Sequence, residues 1–277
     1  MSDALAIASS NLVQDGYHIF RGIFTKKEIE DLRTHVRRYF DLEGTYRYGG
    51  KLAWRGLHKL PSIAKIVIND RLLDALSSCT GPDVPVLTGE CDLQLNTLSR
   101  WHKDIDDEGQ LKEFAYRPDG WHVYKAAIYL QDQLEGSPLA LKVRPGSQRR
   151  RLGEMTAARS LAVQAGDLIV FDVRIDHAGQ FPSYADKLLH RLLMLSSRLL
   201  KRDPEQQFAL LRSALAARRG GMQDRMAVYF TFGRPNQATY SYEQAGRRNH
   251  GPLPADLDVA VRATLSYWNI GLIEPGN

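Results

Sequence analysis

The chain has 277 residues, of which 43% are hydrophobic and 25% charged, with a formal net charge of +5. That length and balance suit one globular domain, residues 1–277, with a sizeable core, and two cysteines, Cys79 and Cys91, exclude a disulfide framework. The charge is too mild to argue for nucleic acid, and neither a signal peptide nor an apolar run of membrane-spanning length is visible, so a reduced, cytoplasmic location is the expectation.

The first 24 residues end in GYHIFRGIF, a β-rich segment between glycines. Thr25, with Glu28 three residues on, makes a capping box, and Ile29, Leu32, Val36 and Phe40 continue at helical spacing. His18 and His35 read as structural or surface histidines. Residues 43–54 are rich in glycine and aromatics, with Tyr46, Tyr48 and Trp54, and form either a plain loop or a substrate-facing lid. A second helix is expected over 62–79, stopping before Gly81-Pro82.

From 86 to 96 polar and apolar residues alternate, the period of a strand. One face carries Thr88, Glu90, Asp92, Gln94 and Asn96 and leads directly to Trp101-His102-Lys103-Asp104. Residues i and i+2 of an extended chain project to the same side, so His102 and Asp104 can hold one metal together. Two imidazoles and one carboxylate, with the remaining positions open, is the arrangement of non-haem Fe(II) oxygenases; it leaves room for a chelating cosubstrate and O2. A distant histidine must complete the set. Residues 105–120 are acidic and aperiodic and suggest a mobile loop over the metal. A strand returns over 121–132, with Trp121, Val123, Lys125, Ala127 and Tyr129 on one face and His122 on the other. Lys125 either snorkels at a strand edge or points its charge into the pocket toward a carboxylate. The run AGDLIVFDVRIDHAG at 165–179 then gives a turn, a buried strand and His177, the best-placed second imidazole; Gly179 is expected to allow a tight turn after it.

Leu188, Leu189, Leu192, Leu193, Leu195, Leu199 and Leu200 have helical spacing, and Asp203-Pro204-Glu205 opens a further helix that runs to Gly220-Gly221. Residues 183–222 are therefore a helical insertion, and the next strand begins at Arg225. The tail is polar and weakly helical near 256–268. Arg149-Arg150-Arg151 and Arg218-Arg219 are local basic clusters best taken as solvated charge.

In order and spacing, DGYHIFRGIFTKKEIEDLR, WHKD, AAIYLQD, the turn Pro145-Gly146-Ser147 and AGDLIVFDVRIDHAG resemble the phytanoyl-CoA dioxygenase-like Fe(II)/2-oxoglutarate oxygenases over most of the chain. The resemblance implies a mainly β fold with flanking helices around a double-stranded β-helix, or jelly-roll, core. It also implies a basic residue on the strand after the second histidine that pairs with the distal carboxylate of 2-oxoglutarate. Arg191 has the simpler spacing from His177 but lies in the leucine-periodic helix, whereas Arg225 opens a strand; Arg225 is favoured and Arg191 competes.

The expected activity is an Fe(II)-, 2-oxoglutarate- and O2-dependent hydroxylation of a small polar metabolite, with release of succinate and CO2. His102, Asp104 and His177 would hold iron, Arg225 and Lys125 would meet the cosubstrate, and Glu90, Asp92 and Gln94 would meet a hydroxyl- or amine-bearing substrate. Asp104 argues against a halogenase, where halide replaces the carboxylate. A non-catalytic jelly-roll binding protein with a vestigial metal site is the alternative. A zinc hydrolase on a cupin-like barrel fits the ligands but leaves the arginine unexplained.

Overall fold

The computed structural model describes residues 2–81, 83–105, 121–155, 157–200, 203–218, 224–250 and 257–273. The loop expected over 105–120 lies outside the described residues except for Ile105. Eleven strands appear among the described residues: β1 Tyr17–Phe20, β2 Thr45–Arg47, β3 Gly50–Ala53, β4 Val86–Leu95, β5 Val123–Tyr129, β6 Lys142–Val143, β7 Arg159–Ser160, β8 Leu168–Asp172, β9 His177–Ala178, β10 Met226–Gly233 and β11 Gly271–Leu272. The helices are α1 Ser2–Gln14, α2 Lys26–Leu42, α3 Gly56–Lys59, α4 Ala64–Val67, α5 Asp70–Thr80, α6 Tyr184–Leu200, α7 Pro204–Arg218, α8 Gln237–His250 and α9 Val259–Tyr267.

The large sheet runs β1-β8-β5-β10-β4-β3-β2, antiparallel throughout, with β11 added parallel to β4. A small sheet, β7-β6-β9, faces it. Bridges from Leu98 to Gln180 and from His102 to His177 bring residues 97–104 alongside β9. Two clusters of side chains separate the layers. Helices α2, α5 and α9 bury Leu32, Leu72 and Val261 against the outer face of the large sheet, while Ala127, Tyr129, Ile169, Phe171 and Ala227 pack between the sheets with Leu141 and Val143. This is the jelly-roll arrangement, left open at the edges of the large sheet.

Most local expectations are met. Thr25 and Glu28 form the capping box of α2, which buries Ile29, Leu32, Val36 and Phe40. The helix expected over 62–79 is broken instead. Asn69 leaves the helical region and its side chain accepts the Leu72 amide at 3.0 Å, so it starts α5 afresh rather than continuing α4. The glycine- and aromatic-rich stretch after Glu43 is a hairpin, β2–β3, turned by Tyr48 and Gly49, both at positive φ. Helices α1 and α8 have no counterpart in the sequence reading.

The insertion is two helices, α6 and α7, between β9 and β10. Arg212 fastens it: its Nη1 donates to the carbonyls of Gly49 at 3.0 Å and Asn96 at 2.6 Å. The hairpin turn, the end of β4 and the insertion are thereby held around one opening. No helix among the described residues is long and apolar enough to cross a membrane.

Candidate active site

The two histidines are neighbours because their backbones pair. The His102 amide donates to the His177 carbonyl at 3.0 Å and the reverse bond is 2.9 Å. In each ring Nδ1 is used up locally, His102 against the Arg100 carbonyl at 2.8 Å and His177 against the Ile175 carbonyl at 3.0 Å. Those bonds fix the tautomers with the proton on Nδ1 and leave the Nε2 lone pairs of both rings free to meet a metal. Asp104 Oδ1 lies 3.7 Å from each Nε2, and one ligand atom from each residue falls within 4.8 Å of the others. This donor set fits a divalent transition metal held on one face.

Lys103, between the two ligands, points the other way. It donates to the Ser147 and Arg150 carbonyls and lies 3.5 Å from the buried Asp176, which also receives Arg144 and the Gly153 amide. The PGS turn and the residue before His177 are thus tied to the back of the metal-binding segment.

Lys125 reaches into the pocket, with Nζ 3.0 Å from Asp104 Oδ2 and 3.9 Å from Glu90 Oε2. Its partners in the structure are these two protein carboxylates. Burial alone would raise the Asp104 carboxyl, but Lys125 and the two imidazoles outweigh it and hold Asp104 well below the usual carboxylate range. Burial and the adjacent His102 push His177 down to about 3, favouring the neutral, ligating form.

A cavity of about 690 Å³ opens from these residues. At its inner end is Arg225, only 2% exposed. Its Nη2 donates to Tyr129 Oη at 2.8 Å and Tyr229 Oη at 3.2 Å, and its Nε to the Leu139 carbonyl at 2.9 Å. The two phenols touch each other at 2.9 Å. Among the described residues no carboxylate lies within ion-pair distance of this guanidinium. Arg191, by contrast, is exposed on α6.

The strand register explains the grouping. Lys125 pairs with Phe171 on one side and Thr231 on the other, while Tyr229 sits between Ala127 and Asp92. Glu90, Asp92 and Gln94 all line the cavity, as expected from the polar face of β4. Glu90 is taken up by Lys125, Thr231 and Tyr242, and Gln94 accepts the Thr97 hydroxyl at 2.7 Å. Asn96 does not line it. At φ 57° it ends β4, accepting the Arg225 amide at 2.8 Å and donating its own amide to the Arg225 carbonyl at 2.8 Å.

The role expected of Gly179 needs correction. Its φ is not in the left-handed region. What glycine supplies there is space, since Arg225 passes directly over it. Tyr48 and Trp54 from the hairpin and His190, Glu205 and Phe208 from the insertion complete the mouth. Tyr242, from the unforeseen α8, joins the wall through Glu90. The sequence signal for it was weak, a lone tyrosine in a polar tail.

No family model matches the chain, and no curated protein matches it. Solved structures do match in fold. SnoN, described as a non-heme alpha ketoglutarate dependent epimerase from nogalamycin biosynthesis, aligns over 84% of each chain at 15% identity and a TM-score of 0.57. HygX from Streptomyces hygroscopicus, solved with nickel and 2-oxoglutarate bound, aligns over 83% of this chain and 86% of its own, at 14% identity and a TM-score of 0.55. The non-heme monooxygenase ThoJ, as a nickel complex, gives 16% identity, 83% and 78% coverage and a TM-score of 0.53. This chain therefore has the jelly-roll fold of non-heme 2-oxoglutarate-dependent enzymes and, within it, a His-Asp-His cluster able to hold a metal.

Proposed function

We propose that the chain is a single-domain Fe(II)- and 2-oxoglutarate-dependent oxygenase of the phytanoyl-CoA dioxygenase-like kind, most simply a hydroxylase of a small polar metabolite. Bound iron would couple the oxidative decarboxylation of 2-oxoglutarate to succinate and CO2 with oxidation of a substrate C–H bond by O2. His102, Asp104 and His177 hold the metal. Arg225 takes the distal carboxylate of the cosubstrate, and Tyr129 and Tyr229 hold the guanidinium in place. Lys125 steadies Asp104 and lies beside the cosubstrate position. Glu90, Asp92 and Gln94 form the substrate wall. A cytoplasmic setting, where iron stays reduced, suits this chemistry.

The observation that carries the reading is Arg225. A guanidinium buried without a carboxylate is costly, and a bidentate anion entering the cavity compensates it with well-matched geometry. The test is succinate formation from 2-oxoglutarate by purified protein with Fe(II) in air. Binding of metal and 2-oxoglutarate with no succinate, across a panel of small polar metabolites, would favour the non-catalytic binding protein instead. Failure to bind 2-oxoglutarate at all would overturn both.

A further inference from the structure

The cavity is lined by four carboxylates besides the metal ligand: Glu90, Asp92, Asp186 and Glu205. The protein itself matches three of them. Glu90 faces Lys125 at 3.9 Å and accepts the hydroxyls of Thr231 and Tyr242 at 3.0 Å each. Asp186 lies 3.5 Å from the Arg212 guanidinium and accepts the amide and hydroxyl of Ser183. Glu205 Oε1 is hydrogen-bonded to His190 Nε2 at 2.8 Å, although its Oε2 is buried without a partner. Asp92 differs. It makes no hydrogen bond or ion pair with any described residue, and its Oδ1 is closed off from solvent. The cations Arg100 and Lys187 at the mouth are exposed, and Lys103 is turned away toward Asp176.

On the function proposed above, the cations near Asp92 are shared with other carboxylates. An iron dication and Arg225 offset Asp104 and the cosubstrate dianion, Lys125 is paired with Asp104 and Glu90, and the buried Arg55 acts on Glu243 and Glu90 as well as on Asp92. The Asp92 carboxylate feels Lys125 and Arg55 but bonds to neither, and water does not reach its Oδ1. Such a group is destabilising until a cation meets it. A neutral hydroxyl would satisfy one lone pair and leave the charge. Tyr48, Trp54 and Phe208 add aromatic surface nearby, suited to the body of a compact ligand. We propose that Asp92 is a subsite for a protonated amine, and that the substrate is a cationic, amine-bearing small molecule rather than a neutral polyol or a fatty acyl compound.

The test uses fragments small enough to enter whatever the shape of the full substrate. Protein loaded with Mn(II) and 2-oxoglutarate under anaerobic conditions is mixed at pH 7 with ethanolamine or with ethylene glycol. Paramagnetic relaxation of the methylene protons then reports which fragment visits the metal-side cavity. Relaxation of ethanolamine about tenfold above that of the glycol, the effect of roughly 1.4 kcal/mol in affinity, is the expected result. Asp92→Asn should bring ethanolamine down to the glycol level, and Asp92→Glu should keep part of the preference; circular dichroism checks that both variants are folded. Equal relaxation of the two fragments, or an unchanged preference in Asp92→Asn, overturns the amine subsite. Titration of 2-oxoglutarate into the Mn(II)-loaded protein, before any fragment is added, separates the two readings: if the cosubstrate does not bind, it is the proposed function that fails.

Discussion

Gly179 and Arg225 are in contact. A methyl group built on Gly179 would stand 3.0 Å from Nη2 and 3.5 Å from Cζ of Arg225, and 3.4 Å from Cβ of Ser99. The residue two positions after a metal-binding histidine therefore sets where the buried guanidinium can lie. Gly179→Ala should displace Arg225 while leaving the metal ligands alone. The expected outcome is a 2-oxoglutarate Kd raised about tenfold, equivalent to roughly 1.4 kcal/mol, with Mn(II) affinity unchanged, both measured by anaerobic calorimetry. An unaltered cosubstrate Kd would mean that Arg225 does not grip the cosubstrate from this position.

The two arginines can be ranked in the same way. Arg225→Ala removes a buried guanidinium held by two phenols and a carbonyl, and should weaken 2-oxoglutarate by about 3–5 kcal/mol if the pair is well buried. Arg191 is exposed on α6, so Arg191→Ala should change the Kd little. Titration of Zn(II)-loaded protein compares them, and the reverse order would assign the cosubstrate to the insertion.

How far the sequence carried this site depends on the range of each interaction. His102 and Asp104 were legible because i and i+2 on an extended chain share a face, and Arg225 because β-favouring residues follow a glycine stop. The polar face of β4 could be placed, but not divided: only the fold puts Lys125, Thr231 and Tyr242 on Glu90 and leaves Asp92 without a hydrogen bond. The Tyr129–Tyr229 pair joins residues a hundred positions apart, and no local pattern encodes it. Asn69 and Gly179 show a subtler failure. Each is a familiar signal whose meaning changed, one breaking a helix by capping the next and the other yielding space rather than a turn.

Lys125 offers a test of how the metal ligand is held. With Oδ2 of Asp104 bound to Nζ at 3.0 Å, Oδ1 is the oxygen turned to both imidazoles. Lys125→Met should lower metal affinity by about 10–100-fold, as loss of a partner behind a metal ligand commonly does. Lys125→Arg should recover part of it. Asp104→Ala and His177→Ala should abolish Fe-dependent 2-oxoglutarate turnover with the fold retained, followed by circular dichroism. Full turnover in either alanine variant would remove that residue from the metal set.

The pH dependence of stability isolates Asp92. Burial, opposed by Lys125 and Arg55 and reinforced by Glu90 and Asp104, pushes its carboxyl up to about 7. A proton therefore binds more tightly to the folded than to the unfolded chain. The stability this confers is fully present below the unfolded pKa, about 4, and is lost as pH rises through 7, at up to about 1.4 kcal/mol per pH unit across the window. His177, lowered to about 3, acts in the opposite direction: its contribution is present above about 6.5 and is lost as pH falls toward 3. Both slopes overlap in the native protein, so the comparison has to be with Asp92→Asn, which cannot ionise and leaves His177 in place. In metal-free, ligand-free protein, Asp92→Asn should melt above the wild type at pH 8 and approach it at pH 4. Ethanolamine should raise the wild-type Tm at pH 8 and leave the variant unmoved. A variant that melts below the wild type at pH 8 would mean that the Asp92 carboxylate is already compensated within the protein.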